Sequence, residues 1–182
     1  MRSVMGEIKS TIELVMERTK GMTLSGEEKK HLEEEREARM AQGLAVRYLQ
    51  GEVALDELIK KAQGSSPPFA RTILNAMVEA LRPGSDEFAK AVDALERLKG
   101  GELQAPLRRA RDLSLQFGQA LQKRRRKLKA ELWEELAQRG VKGSAVEPNV
   151  EASPRWTQAV GELQREFEPR LQEIRQSLLA KI

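Results

Sequence analysis

Residues 154–182 read PRWTQAVGELQREFEPRLQEIRQSLLAKI. Within them Trp156, Val160, Leu163, Phe167, Leu171, Ile174, Leu178 and Ile182 recur at steps of four or three. That spacing places all eight on one helical stripe. A stripe of this length must be covered by other helices. A second long helix is expected over 106–139, carrying Leu107, Ala110, Leu113, Phe117, Leu121, Leu128, Leu132 and Leu136 inward. At about 1.5 Å per residue it would be roughly 50 Å long. The two segments predict an antiparallel, coiled-coil-like helical hairpin joined by a connector over 140–153.

Helical signals continue upstream. Residues 3–19 place Met5, Ile8, Ile12, Val15 and Met16 on one face, with Gly21 as the stop. Ser25 followed by Glu28 is a capping-box pattern, because the hydroxyl can accept a helical N–H while the carboxylate reaches back. The helix it opens should end at Gln50 before Gly51. Its first half carries little apolar surface, so only Ala41, Leu44, Ala45, Tyr48 and Leu49 should pack. A short helix follows, with Leu55, Leu58, Ile59 and Ala62 inward. After the turn Gly64-Ser65-Ser66-Pro67-Pro68, Ser66 can cap a helix with Pro67 at its first position. Phe69, Ala70, Ile73, Leu74, Met77, Val78 and Leu81 give that helix the widest apolar face in the chain. Phe88, Ala91, Val92, Leu95 and Leu98 mark another helix, ending at Gly100-Gly101. No segment alternates with period two. The predicted class is all-α, a helical bundle whose C-terminal half is the hairpin. Residues 1–101 form the helical N-terminal region, with a turn near 64–68, and 102–182 the hairpin.

Composition narrows the function. The 182 residues contain no cysteine and a single histidine, His31. Disulfides, thiolate chemistry and multi-histidine metal sites therefore have no material. Aromatic residues are 4% and charged residues 33%, as in helical bundles. The net charge of +4 is modest for a dedicated nucleic-acid binder. No apolar run approaches the roughly 20 residues of a membrane span. The first twenty residues lack a signal-peptide pattern. A cytoplasmic protein with no membrane association, no cofactor and no enzymatic activity is expected.

Four patterns deserve weighing as sites. The run Lys123-Arg124-Arg125-Arg126-Lys127, with Lys129, interrupts the apolar stripe between Leu121 and Leu128. From Glu102 to Lys129 there are nine Lys or Arg against two acids. The run could contact phosphates. Successive helical residues lie about 100° apart, however, so it surrounds its helix and makes no single basic face. Either Arg124 or Arg125 should reach the seam. If the helices fold back about a symmetric connector, Arg125 faces Pro169, and Glu166, Glu168 and Glu173 partly neutralise the run. Pro169 lacks an N–H, yet the stripe keeps its phase across it. A kinked continuous helix is therefore expected.

Glu28-x-x-His31 has a metal-ligand spacing but no second Glu-x-x-His, so no metal is expected. The connector is long and carries Val141, Val146 and Val150, more apolar residues than a spacer needs. It should be ordered over Trp133 and Trp156. Its Gly140-x-x-Gly143-Ser144 resembles a phosphate loop only faintly, since the Gly-Lys-Ser/Thr order is absent. Val141, Val146, Asn149, Val150 and Trp156 are the expected protein-contact residues. The acidic stretch Glu33-Glu34-Glu35-Arg36-Glu37 reads as a solvated face. The leading expectation is a helical interaction module (adaptor, chaperone-like or structural) that binds a protein partner or its own copy. The alternative is a nucleic-acid- or ribosome-associated factor using residues 123–129.

Overall fold

The computed structural model describes residues 25–141 and 147–182. The helix expected over 3–19 lies outside the described residues. Among the described residues the chain is all-α, with six α-helices and no strand. Helix α1 spans Gly26–Gln50, α2 Leu55–Gln63, α3 Pro67–Glu79 and α4 Glu87–Lys99. A 3-10 turn, Gly100–Leu103, leads into α5, Gln104–Gln138, and α6 spans Pro154–Leu179.

Local chemistry sets these boundaries. The Ser25 hydroxyl accepts from Glu28 N at 3.1 Å, and Ser25 N donates to the Glu28 carboxylate at 2.7 Å. Two otherwise orphaned N–H groups are satisfied by each other's residues. Gly51 ends α1 in the left-handed region, with φ of 84°. Ser66 caps α3 through Phe69 N, with Pro67 at the first helical position. Helix α5 begins two residues before the expected Pro106. A proline within the first turn costs no hydrogen bond, because N–H groups there have no intrahelical partner.

One cluster of buried side chains runs from Ala41 on α1 to Leu178 on α6. It takes Ala41, Leu44, Ala45 and Tyr48 from α1, whereas residues 26–40 of that helix are largely exposed. The Phe69-to-Val78 face of α3 lies at its centre, with Leu81 just beyond the helix end, and Ile73, Met77 and Leu81 are fully buried. Covering each large side chain contributes roughly 1.5–3 kcal/mol, which offsets the entropy of ordering the bundle. From α5 the cluster takes Leu107, Ala110, Leu113 and Phe117, and from α6 Leu163, Phe167, Leu171, Ile174 and Leu178. The rings of Phe117 and Phe167 meet edge to face at 5.4 Å.

Polar ties join the layers. Tyr48 donates to Lys90 O at 2.9 Å, and Lys90 Nζ returns a bond to Leu49 O at 2.7 Å, clasping α1 to α4. Arg175 of α6 donates to Glu79 O and Leu81 O, satisfying carbonyls at the end of α3. Beyond Phe117 and Leu163 the core stops while α5 and α6 continue, so the distal hairpin is a two-helix arm. About 20 residues of α5 lie in it, a length of roughly 30 Å.

Helix α6 is continuous through Pro169, as the unbroken stripe predicts. Its register against α5 differs from expectation. Arg124 binds Glu162 at 3.2 Å and Glu166 at 3.3 Å, and Arg155 binds Glu135 at 2.7 Å. Phe117, not Arg125, therefore stands near the level of Pro169. The reason is the path of the connector. Its residues 147–153 run alongside α5, pairing Glu147 with Lys129 and Glu151 with Arg125, before α6 begins. Helix α6 thus starts below the tip of α5, whereas a symmetric bridge would have started it level with that tip.

Candidate functional site: the groove of the hairpin arm

The basic run sits on the arm, and carboxylates from two directions meet it. Arg124, 34% exposed, spans Glu162 and Glu166 on α6. Arg125 pairs with Glu151 at 2.7 Å, Lys129 with Glu147, and Lys127 loosely with Glu131 at 3.9 Å. The Lys129 hydrogen bond and charge hold the Glu147 carboxyl below its usual range. Among the described residues, Lys123 and Arg126 have no carboxylate within 4.0 Å. Partial neutralisation of the run is thus correct, but only Glu166 of the three expected glutamates contributes. Glu168 instead approaches Arg175 and Gln172 on its own helix, and Glu173 lies lower, beside Arg109 and Arg170.

The arm has two unlike faces. On one, the connector runs between its ion pairs to Arg125 and Lys129. There Val150 is buried, at 2% exposure, outside the main core cluster. On the other, α5 and α6 leave an open groove of about 580 Å³. Its floor is Ala120, Leu128, Ala159 and Leu163. Its α5 wall carries Lys123, Arg124 and Lys127, its α6 wall Glu162 and Glu166. Nearer the connector the signs reverse, with Glu131 on α5 and Arg155 on α6. These positions lie at helical steps of three or four, so each wall is one face of its helix.

The expected contact residues do not form one patch. Val141 and Trp156 are half-buried, Asn149 is exposed, and Val150 is buried, so it serves the connector's own packing. The Asn149 side chain accepts from Ala152 N at 3.2 Å, holding the turn into α6. Val146, with Gly143 and Ser144, lies outside the described residues. Trp133 is half-buried.

Sequence reading missed the connector acids Glu147 and Glu151 as partners of the run. Their spacing of four around Val150 was the available signal. It missed the groove too, although Arg155, Ala159, Glu162 and Glu166 follow helical steps.

Other candidate chemistry is committed to structure. The Glu28 carboxylate is held by the α1 cap, and His31 Nδ1 lies 3.6 Å from Glu35, which itself binds Arg39. Glu37 accepts from the Ser66 hydroxyl. Among the described residues there is no cluster of three metal-binding side chains, and no helix is long and apolar enough to cross a membrane. No protein-family model, curated protein or solved structure matches this chain.

Proposed function

We propose that this protein is a non-enzymatic helical interaction module whose binding element is the arm of the hairpin. The observation that carries the reading is the asymmetry of the arm. One face is closed by the connector, while the other is an open groove with apolar floor and charged walls. Ala120 and Ala159 of the groove's floor stay half-buried in the chain itself. Covering them by a partner adds hydrophobic stabilisation that the isolated chain lacks.

The test is capture of partners by the full chain from extracts of its host, with and without Ala159→Trp, which fills the groove. A defined set of proteins lost on that substitution supports the reading. Capture unchanged both by Ala159→Trp and by removal of residues 141–152 refutes it. One observation favours a second reading, contact with nucleic acid: Lys123 and Arg126 are exposed and unpaired among the described residues. Against it, Arg124, Arg125 and Lys129 must each leave a carboxylate before meeting a phosphate. Salt-dependent binding of DNA or RNA, weakened by Lys123→Ala and Arg126→Ala together, would establish that alternative.

A further inference from the structure

We propose that the occupant of the groove is the same groove of a second copy, giving a two-fold dimer in which the two arms form a four-helix bundle. The inference rests on the reading of the arm as an interaction element, and it is carried by the arrangement of charge. At one level of the groove the α5 wall is positive, through Lys123 and Lys127, and the α6 wall negative, through Glu162 and Glu166. The bonds from Arg124 to both glutamates fix these groups at a common height. Toward the connector the pattern inverts, with Glu131 on α5 and Arg155 on α6, and the Arg155–Glu135 bond fixes that height.

A two-fold axis along the hairpin lays α5 of one copy over α6 of the other without changing height. Lys123 and Lys127 then stand over Glu162 and Glu166, while Glu131 stands over Arg155. Every contact occurs twice, as an isologous interface requires. Both levels match under a single operation. Neighbouring helices are antiparallel, the usual arrangement of such bundles. An axis across the hairpin would instead lay α5 on α5 and bring the two basic stretches together, which like-charge repulsion opposes. The small side chains of Ala120 and Ala159 let the helices approach, and Leu128 and Leu163 lie beneath them.

Size sets the expected strength. An arm about 30 Å long and two helices wide offers roughly 600 Å² per copy, so about 1,200 Å² in total, the lower edge for stable dimers. A dissociation constant on the order of 1–100 µM, weakening with salt, is therefore expected.

The experiment is sedimentation or light scattering of the full chain across a concentration series, with a charge swap. Lys123→Glu with Lys127→Glu makes both walls acidic at one level, and Glu162→Lys with Glu166→Lys makes both basic. Each variant alone should weaken the dimer by about tenfold or more. An equimolar mixture should form a heterodimer, because the reversed walls then match across the interface. Far-UV circular dichroism checks that both variants keep their helices, and the mixture tests pairing even if one arm is loosened. A wild-type monomer at about 0.5 mM overturns the proposal. So does a dimer that neither reversal weakens, or a mixture that fails to associate. Those results leave the broader reading of the arm standing as long as Ala159→Trp still abolishes capture of other proteins. If that capture is insensitive too, both fall.

Discussion

Two glycines show how one residue type has opposite value at two places. Gly84, in the turn between α3 and α4, has φ of 85°, and a Cβ there would stand 2.9 Å from the Phe117 ring. Gly84→Ala should destabilise the bundle by about 1–3 kcal/mol, through left-handed backbone strain and displacement of a core ring. Gly43 lies inside α1 with open space where a Cβ would go. Gly43→Ala should stabilise by about 0.5–1 kcal/mol, through helix propensity alone. Urea denaturation of the two variants checks both signs, and a loss of stability in Gly43→Ala would contradict the account. Tyr48 offers a second test at this scale, since it is the chain's single tyrosine. Burial, and then the nearby Asp93 carboxylate, push its phenol pKa up. The unfolded chain therefore loses this proton first, near about pH 10, and stability falls as pH rises toward the folded value. Tyrosinate absorbance should titrate later in the folded protein than in urea. Tyr48→Phe should flatten the alkaline fall in stability, and an unchanged fall would exclude this group as a cause.

Among the elements, α6 has the plainest conflict between local rule and tertiary need. Pro169 removes the N–H that would reach Arg165 O, at a cost of about 3 kcal/mol in a helix interior. The helix persists because Phe167, Leu171, Ile174 and Leu178 are buried on either side of the break. Pro169 itself is exposed. Pro169→Ala should therefore raise stability by roughly 1–3 kcal/mol in thermal or urea unfolding, with the α5–α6 register unchanged. Destabilisation would show that the proline sets a bend on which the packing depends. Helix α1 is the complementary case. Its first half has an intact capping box and little apolar contact, so local chemistry starts the helix and tertiary packing holds only its end.

At the scale of the molecule, burial divides a packed bundle from a thinly covered arm. Both tryptophans, Trp133 and Trp156, lie on the arm, and Tyr48 lies in the bundle. Elements with few buried contacts open at lower free energy than the core. Tryptophan emission should therefore change at lower urea than far-UV circular dichroism. Amides of residues 120–138 should also exchange faster than those of 70–80. Coincident transitions would mean that the arm and the bundle unfold as one unit.

The sequence by itself determined the helices: the stripes on α3, α5 and α6, the Ser25 and Ser66 caps, the Gly51 stop and the all-α class. Each of these depends on residues within a few positions of one another, so periodicity and capping chemistry suffice to read them. It also determined that Arg124 or Arg125 would reach the seam, because angular spacing on a helix is local geometry. Only the tertiary structure decided the register of α6, the pairing of Glu147 and Glu151 with the basic run, and the open groove with its inverted walls. Those features depend on how a long connector runs between helices, and no periodicity encodes that path. A shift of about two turns moved Pro169 away from the basic run and brought Glu162 to it beside the expected Glu166. An arm that reads locally as core and charge thereby gains a face whose charges are complementary to its own.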